Sequence, residues 1–195
     1  MTPLKLGADT VAHLIPHRRP FVFLDGIEAY AREPRPTLVG HKHVSVNEPV
    51  FDGHFPGLSL WPGVYTVEGM GQAVNALLVL QSIIDEAERR GFDMTQVLDT
   101  LRAIDRRMRL GKRAPTEMET ELLTHLGEPR HRVGLVGAMD IKLDAPVFAG
   151  CELTYHVTRT RMMESTHRFD VNASVGDVRV ARGTMTSTVP GSVSG

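Results

Sequence analysis

Cysteine occurs once among the 195 residues, at Cys151, which excludes an intrachain disulfide and a cysteine-built metal cage. A lone thiol suits a reducing compartment. Neither sign of charge is in excess. The 22 Lys and Arg balance 23 Asp and Glu, for a formal net charge of -1. That balance offers neither nucleic acid nor an anionic membrane surface an overall attraction. Met1 to Asp9 lack the basic start and apolar run of a signal peptide. No stretch is apolar over the roughly 18 residues that a membrane helix requires, so no membrane span is expected. The expectation is one cytoplasmic domain over residues 1–195, long enough to bury a core without staples.

Asp9 to Ile15 read as a short helix with Asp9 as N-cap, stopped by Pro16. Pro20 to Asp25 and Thr37 to Val46 carry strand signals. His41 and His43 alternate on the second of these and share one face. Two histidines can hold a metal, but no third ligand stands at a convincing spacing, and an ordinary surface strand is the preferred reading. Asn47 to Gly63 holds three prolines and three glycines and reads as an irregular loop. Pro62 and Gly63 then open a long apolar helix through Val64, Val67, Gly71, Val74, Leu77, Leu78 and Ile84 to Arg90, about 43 Å at 1.5 Å per residue. Gly91 ends it.

A second helix is expected between Asp93 and Gly111, with Met94, Val97, Leu98, Leu101, Ile104 and Met108 on one stripe. A third is expected from Thr116 to Leu126, opened by a Thr116–Glu119 capping box. After Pro129 the period changes. Four strands are expected at His131–Leu143, Glu152–Met163, Ser165–Val175 and Val178–Val189, the last three as an antiparallel meander. Pro190 to Gly195 is a small-residue tail. One apolar helix among strands predicts an α+β fold, an antiparallel sheet wrapped around the helix, with a helical pair inserted near residues 85–131.

The chemistry-bearing residues cluster in Gly53-His54-Phe55-Pro56-Gly57, Pro62-Gly63-Val64 and Glu68. Taken alone, His54 reads as a structural loop histidine and Glu68 as a residue at the edge of the apolar stripe. Together they place a histidine in a glycine-flanked loop and a carboxylate in an apolar helix. Burial raises a carboxylate's pKa, which suits a general acid. Gln72 stands one turn beyond Glu68, within hydrogen-bonding reach or on the helix surface. Phe55, Trp61 and Tyr65 either line an acyl channel or pack ordinarily.

Asn47 to Gly57, then Pro62-Gly63-Val64, then Glu68-Gly69-Met70-Gly71-Gln72-Ala73 resemble the 3-hydroxyacyl-acyl-carrier-protein dehydratases of the FabZ type. The fourteen-residue step from His54 to Glu68 matches that family's catalytic histidine and glutamate. Ile15-Pro16-His17-Arg18 with Pro20 to Asp25 is similar to its N-terminal motif, and Asp140-Ile141-Lys142 with Pro146 to Gly150 to its return strand and turn. The likeness covers roughly residues 10–80 and 132–188.

The resemblance implies a hot-dog fold and a homodimer whose shared sites pair His54 of one chain with Glu68 of the other. It implies dehydration of a 3-hydroxyacyl thioester carried on the phosphopantetheine arm of acyl carrier protein or coenzyme A. His54 is then the base, Glu68 the acid, and the Gly63 N–H the oxyanion donor, with no metal or other cofactor. The chain departs from the family in its insertion, and in Ala149 and Cys151 where proline and aspartate are usual. Glu68, where the isomerising branch has aspartate, favours dehydration alone. Arg102, Arg106, Arg107, Arg109, Lys112 and Arg113 form a basic run that either steers an acidic carrier or is a solvated helix face. The alternative function is a non-catalytic acyl-carrier or acyl-chain binding subunit.

Overall fold

The computed structural model describes residues 1–110, 116–117, 119–121, 134–164 and 166–188. The chain runs β1 (Thr2–Leu6), α1 (Ala8–Leu14), β2 (Gly26–Ala31), β3 (Thr37–Val44), a 3-10 turn (Pro49–Asp52), β4 (Leu60–Trp61) and α2 (Gly63–Arg89). It continues through α3 (Met94–Leu110), β5 (Leu135–Leu143), β6 (Val147–Phe148), β7 (Cys151–Met163), β8 (Thr166–Val175) and β9 (Val178–Thr188). Seven strands form one sheet in the order β1-β2-β3-β7-β8-β9-β5, antiparallel throughout, and β4 pairs with β6. This is a hot-dog fold: the sheet curls around α2.

Alternation explains the packing. Leu38 and Val44 of β3, Leu153, Tyr155 and Val157 of β7, and Phe169, Val171 and Ala173 of β8 are buried on the inner face. They meet Met70, Ala73, Val74, Leu77 and Leu80 of α2, which are also buried. The leucine, valine, methionine and phenylalanine side chains among them each contribute roughly 1.5–3 kcal/mol when fully buried. Gly69 allows the closest approach, because a Cβ there would lie 2.2 Å from the Tyr155 hydroxyl. At its C-terminus α2 closes as the glycine signal predicts. Gly91 takes φ +91°, and the N–H groups of Phe92 and Gly91 return to the carbonyls of Ala87 and Glu88.

Several expectations need correction. The N-cap of α1 is Gly7, whose carbonyl accepts from Thr10 and Val11, and Asp9 sits inside the first turn. Pro20 to Asp25 join no strand ladder, and the ladder begins at Gly26. The apolar residues there pack sideways: Phe23 stacks on Tyr65 with ring centroids 4.4 Å apart and meets Trp61 edge-on at 5.9 Å. The irregular loop holds the 3-10 turn and the two residues of β4. β1 and β6 are further strands: β6 is too short to display a period, and β1 alternates only through Leu4 and Leu6. α2 is, by length and composition, apolar enough to cross a membrane, contrary to expectation. Its most apolar window is 78% buried within the fold, so core packing accounts for that apolarity.

In α3 the predicted stripe holds, with Val97, Leu98, Leu101 and Ile104 buried. The Thr116–Glu119 capping box forms, with Glu119 N–H donating to Thr116 Oγ1 at 3.2 Å and Thr116 N–H to Glu119 Oε2 at 3.3 Å. The predicted helix end at Leu126, the strand start at His131, the small-residue tail, and Gly111, Lys112 and Arg113 lie outside the described residues.

Candidate active site

His54 follows the 3-10 turn, its N–H held by the Val50 carbonyl at 2.9 Å. Its Nδ1 lies 3.0 Å from the Leu60 carbonyl oxygen. A carbonyl can only accept, so neutral His54 carries its proton on Nδ1 and keeps the Nε2 lone pair available as a base. Phe55 stacks on the imidazole at 4.2 Å and is itself half exposed.

His54, Trp61, Gly63, Leu143 and Val180 line one cavity of about 320 Å³. Gly63 is the first residue of α2, where N–H groups have no partner one turn back and the helix dipole favours negative charge. A Cβ on Gly63 would lie 2.4 Å from Leu143 Cδ1, so a side chain there would push that methyl group aside. Trp61 is buried against Phe51, Phe23 and Tyr65 and offers the cavity one part of its surface. Tyr65 packs on Phe23 and does not line the cavity.

Glu68 is not among the residues lining that cavity. Its side chain is 31% exposed rather than buried. Gln72 Nε2 donates to Glu68 Oε1 at 3.0 Å and to the Phe21 carbonyl at 3.1 Å, while Gln72 Oε1 accepts from the Phe23 N–H at 2.8 Å. Both amide hydrogens and the amide oxygen of this fully buried glutamine are therefore engaged. It joins the Phe21–Phe23 segment to the carboxylate.

Sequence reasoning gave no role to His17, whose Nε2 lies 3.4 Å from Glu68 Oε1. Burial pushes its pKa below the ordinary value of 6.5, against the pull of the Glu68 charge. Its motif was visible, but nothing in its spacing pointed to Glu68. The metal reading of His41 and His43 also changes. Glu152, far along the chain, lies opposite His43 in the β3–β7 ladder, and the three offer ligand atoms within 4.8 Å of one another. Only strand register reveals it.

The basic run is largely occupied. Arg102 donates to the Pro3 carbonyl and pairs with Asp99, Arg107 approaches Glu119 at 3.4 Å, and Arg109 pairs with Asp105 at 2.8 Å. The reason is proximity: α3 lies against β1 and α1, so its arginines meet backbone carbonyls and carboxylates of this chain before any partner's. Among the described residues, none of α3 lines the His54 cavity.

Residues 15–103 match the family model of the FabA-like domain. Across this segment the chain is similar to the FabA-like family. Its similarity to 3-hydroxyacyl-acyl-carrier-protein dehydratase FabZ of Neisseria meningitidis is 49% identity over 77 residues, 40% of this chain and 50% of that protein. FabZ of Chlamydia trachomatis is 44% identical over 73 residues, 37% of this chain and 47% of that protein. The chain thus spans about half the length of the curated relatives it matches. The FabA-like segment contains His54, Gly63, Glu68 and Gln72 and ends inside α3. Beyond it, the fold carries the likeness. The dehydratase heterocomplex ApeI:P from Xenorhabdus doucetiae aligns over 92% of this chain and 90% of its own, with a TM-score of 0.55 and 16% identity.

Proposed function

We propose that the chain removes water from a 3-hydroxyacyl thioester carried on a phosphopantetheine arm, giving the trans-2-enoyl thioester. The observation that carries this reading is the His54 imidazole, oriented by the Leu60 carbonyl and facing the same cavity as the start of α2. His54 Nε2 takes the proton from the carbon beside the thioester carbonyl. The Gly63 N–H holds the oxygen that gains negative charge, a donor typically worth about 2.7–4 kcal/mol in the transition state. As the C–O bond breaks and the C=C bond forms, a proton from Glu68 leaves with the hydroxyl as water. The scheme uses protons and hydrogen bonds alone and calls for no metal or other cofactor. His17 and Gln72 hold the Glu68 carboxylate in position.

Because Glu68 does not line its own chain's His54 cavity, the reading requires a homodimer that brings in the partner's carboxylate. The outer edge of β5 supports this. Leu135, Met139 and Leu143 are more than half exposed along the last strand of the sheet. Unpaired, apolar strand edges favour association. The preferred carrier is acyl carrier protein, with coenzyme A as the smaller alternative. Arg106, exposed on α3, is the described member of the basic run left to meet an acidic carrier.

The test follows enoyl-thioester absorbance for wild type, His54→Ala and Glu68→Gln. Each variant should lose about 10²–10⁴-fold in rate while remaining folded by circular dichroism. Mixing the two inactive variants under subunit exchange should restore about a quarter of wild-type activity. Half of the dimers are then mixed, and each mixed dimer holds one intact site of two. No recovery from demonstrated mixed dimers would refute the shared site. No turnover by folded wild type on any chain length or carrier would leave a binding subunit as the better reading.

A further inference from the structure

On the outward face of the sheet, away from α2, three strands bring four metal-competent side chains together. His41 and His43 project from β3 on the same side, their ring centroids 5.0 Å apart. Glu152 of β7 stands opposite His43, with Oε2 3.4 Å from His43 Nδ1. Glu28 of β2 brings Oε1 to 2.9 Å from His41 Nδ1. Gly26, opposite His41 on β2, leaves the space the ring occupies: a Cβ there would lie 2.3 Å from His41 Cε1.

We propose that His41, His43 and Glu152 bind a divalent transition-metal ion, zinc being the best match. One ligand atom from each lies within 4.8 Å of the other two. Tetrahedral ligands at about 2.0–2.1 Å from zinc stand roughly 3.4 Å apart, so modest side-chain rotations close the site. Two imidazoles and a carboxylate select zinc, nickel or copper over magnesium and calcium, which prefer oxygen alone. Glu28 completes the arrangement through the carboxylate–imidazole contact that orients metal-bound histidines. With Glu28, the site carries two carboxylates to balance a dication. His43 and Glu152 have side chains 64% and 49% exposed, which gives an ion access and lets water fill the remaining position.

None of the four residues lines the His54 cavity, so the ion's role is structural. It ties β2, β3 and β7 together on the face opposite the core. The proposal stands apart from the dehydratase reading.

The test titrates chelator-stripped full-length protein with zinc chloride by calorimetry and follows Tm in parallel. One ion per chain should bind with micromolar affinity, and Tm should rise by roughly 5–10 °C at a 100-fold excess over Kd. Magnesium chloride should do neither. His43→Ala and Glu152→Gln, both at exposed positions, should each weaken binding at least tenfold and keep the fold and the thioester activity. Absence of micromolar zinc binding, or affinity that survives either substitution, would overturn the assignment.

Discussion

The two edges of the main sheet are finished in opposite ways. At the β1 edge, α3 lies across the strand and its arginines take up the outward carbonyls. Arg102 Nε donates to Pro3 at 3.1 Å and Arg109 Nη2 to Lys5 at 3.2 Å. Asp105 fastens the helix from beneath, accepting from the Gly7 N–H at 2.7 Å and Thr10 Oγ1 at 2.8 Å. At the β5 edge, no described element covers the strand, and its apolar side chains meet solvent on both faces. A strand edge left open invites pairing, and a capped one does not. The comparison explains much of the basic run without a partner: two of its four described members, Arg102 and Arg109, close an edge of their own chain. It also leaves the other end as the edge that the proposed dimer would use.

Breaking the open edge should have the largest effect. Met139→Asp puts a charge in the middle of β5, where Met139 is 57% exposed and no core packing is lost. Light scattering should report monomers, and thioester turnover should fall at least about 100-fold with the loss of the partner's carboxylate. A Met139→Asp protein that stays dimeric and active would make the two edges equivalent. Breaking the capped edge should cost stability instead. Asp105→Ala strands a part-buried N–H and a buried hydroxyl and unpairs Arg109, at a cost of about 3 kcal/mol in urea unfolding, with the proposed dimerisation unchanged. Equal stability in the variant would mean that α3 caps nothing.

The smallest effect should be one of pH, common to both variants. Burial lowers the pKa of His17, His156 and His167 below 6.5. Below that value the unfolded chain binds protons that the folded chain does not. The associated stability is present above about pH 6.5 and is lost as pH falls through the lower folded-state values. These histidines belong to neither edge. Tm measured between pH 7.5 and about 5 should therefore fall with similar slopes in wild type, Met139→Asp and Asp105→Ala, and less steeply in His156→Gln. A steeper slope in either edge variant would tie the titration to that edge.

What the sequence made legible follows from how local the signal was. α2 could be read because Pro62, Gly91 and the apolar run between them are neighbours in the chain. The meander of β7, β8 and β9 could be read because its strands alternate, Gly150 precedes the first and Gly176 turns the second into the third. Gln72 beside Glu68 followed from helical spacing. The remainder depended on distant partners. Phe21 to Leu24 imitated a strand because their apolar surface is consumed by Trp61, Tyr65 and the backbone contacts of Gln72. The α3 arginines resembled a docking patch because the Pro3 and Lys5 carbonyls that absorb them come from the other end of the chain. Glu152 joins His41 and His43 only through strand register, which no spacing rule reports. The candidate pair, His54 and Glu68, was visible as a motif, but no spacing rule could show that His54 opens onto a cavity that Glu68 does not line.

Leu143 rests where a Gly63 side chain would be, so the last residue of β5 touches the first residue of α2. One strand thus presents an edge at the surface and a methyl group at the proposed anion-binding N–H. Thermodynamic linkage makes such contact reciprocal: any molecule that grips β5 differently with and without an occupied cavity must change the cavity's affinity by the same factor that the occupant changes the grip. In the proposed dimer, saturating the cavity with a thioester mimic would then tighten or loosen subunit association in equal measure, and dilution would be felt as a change in the mimic's apparent affinity.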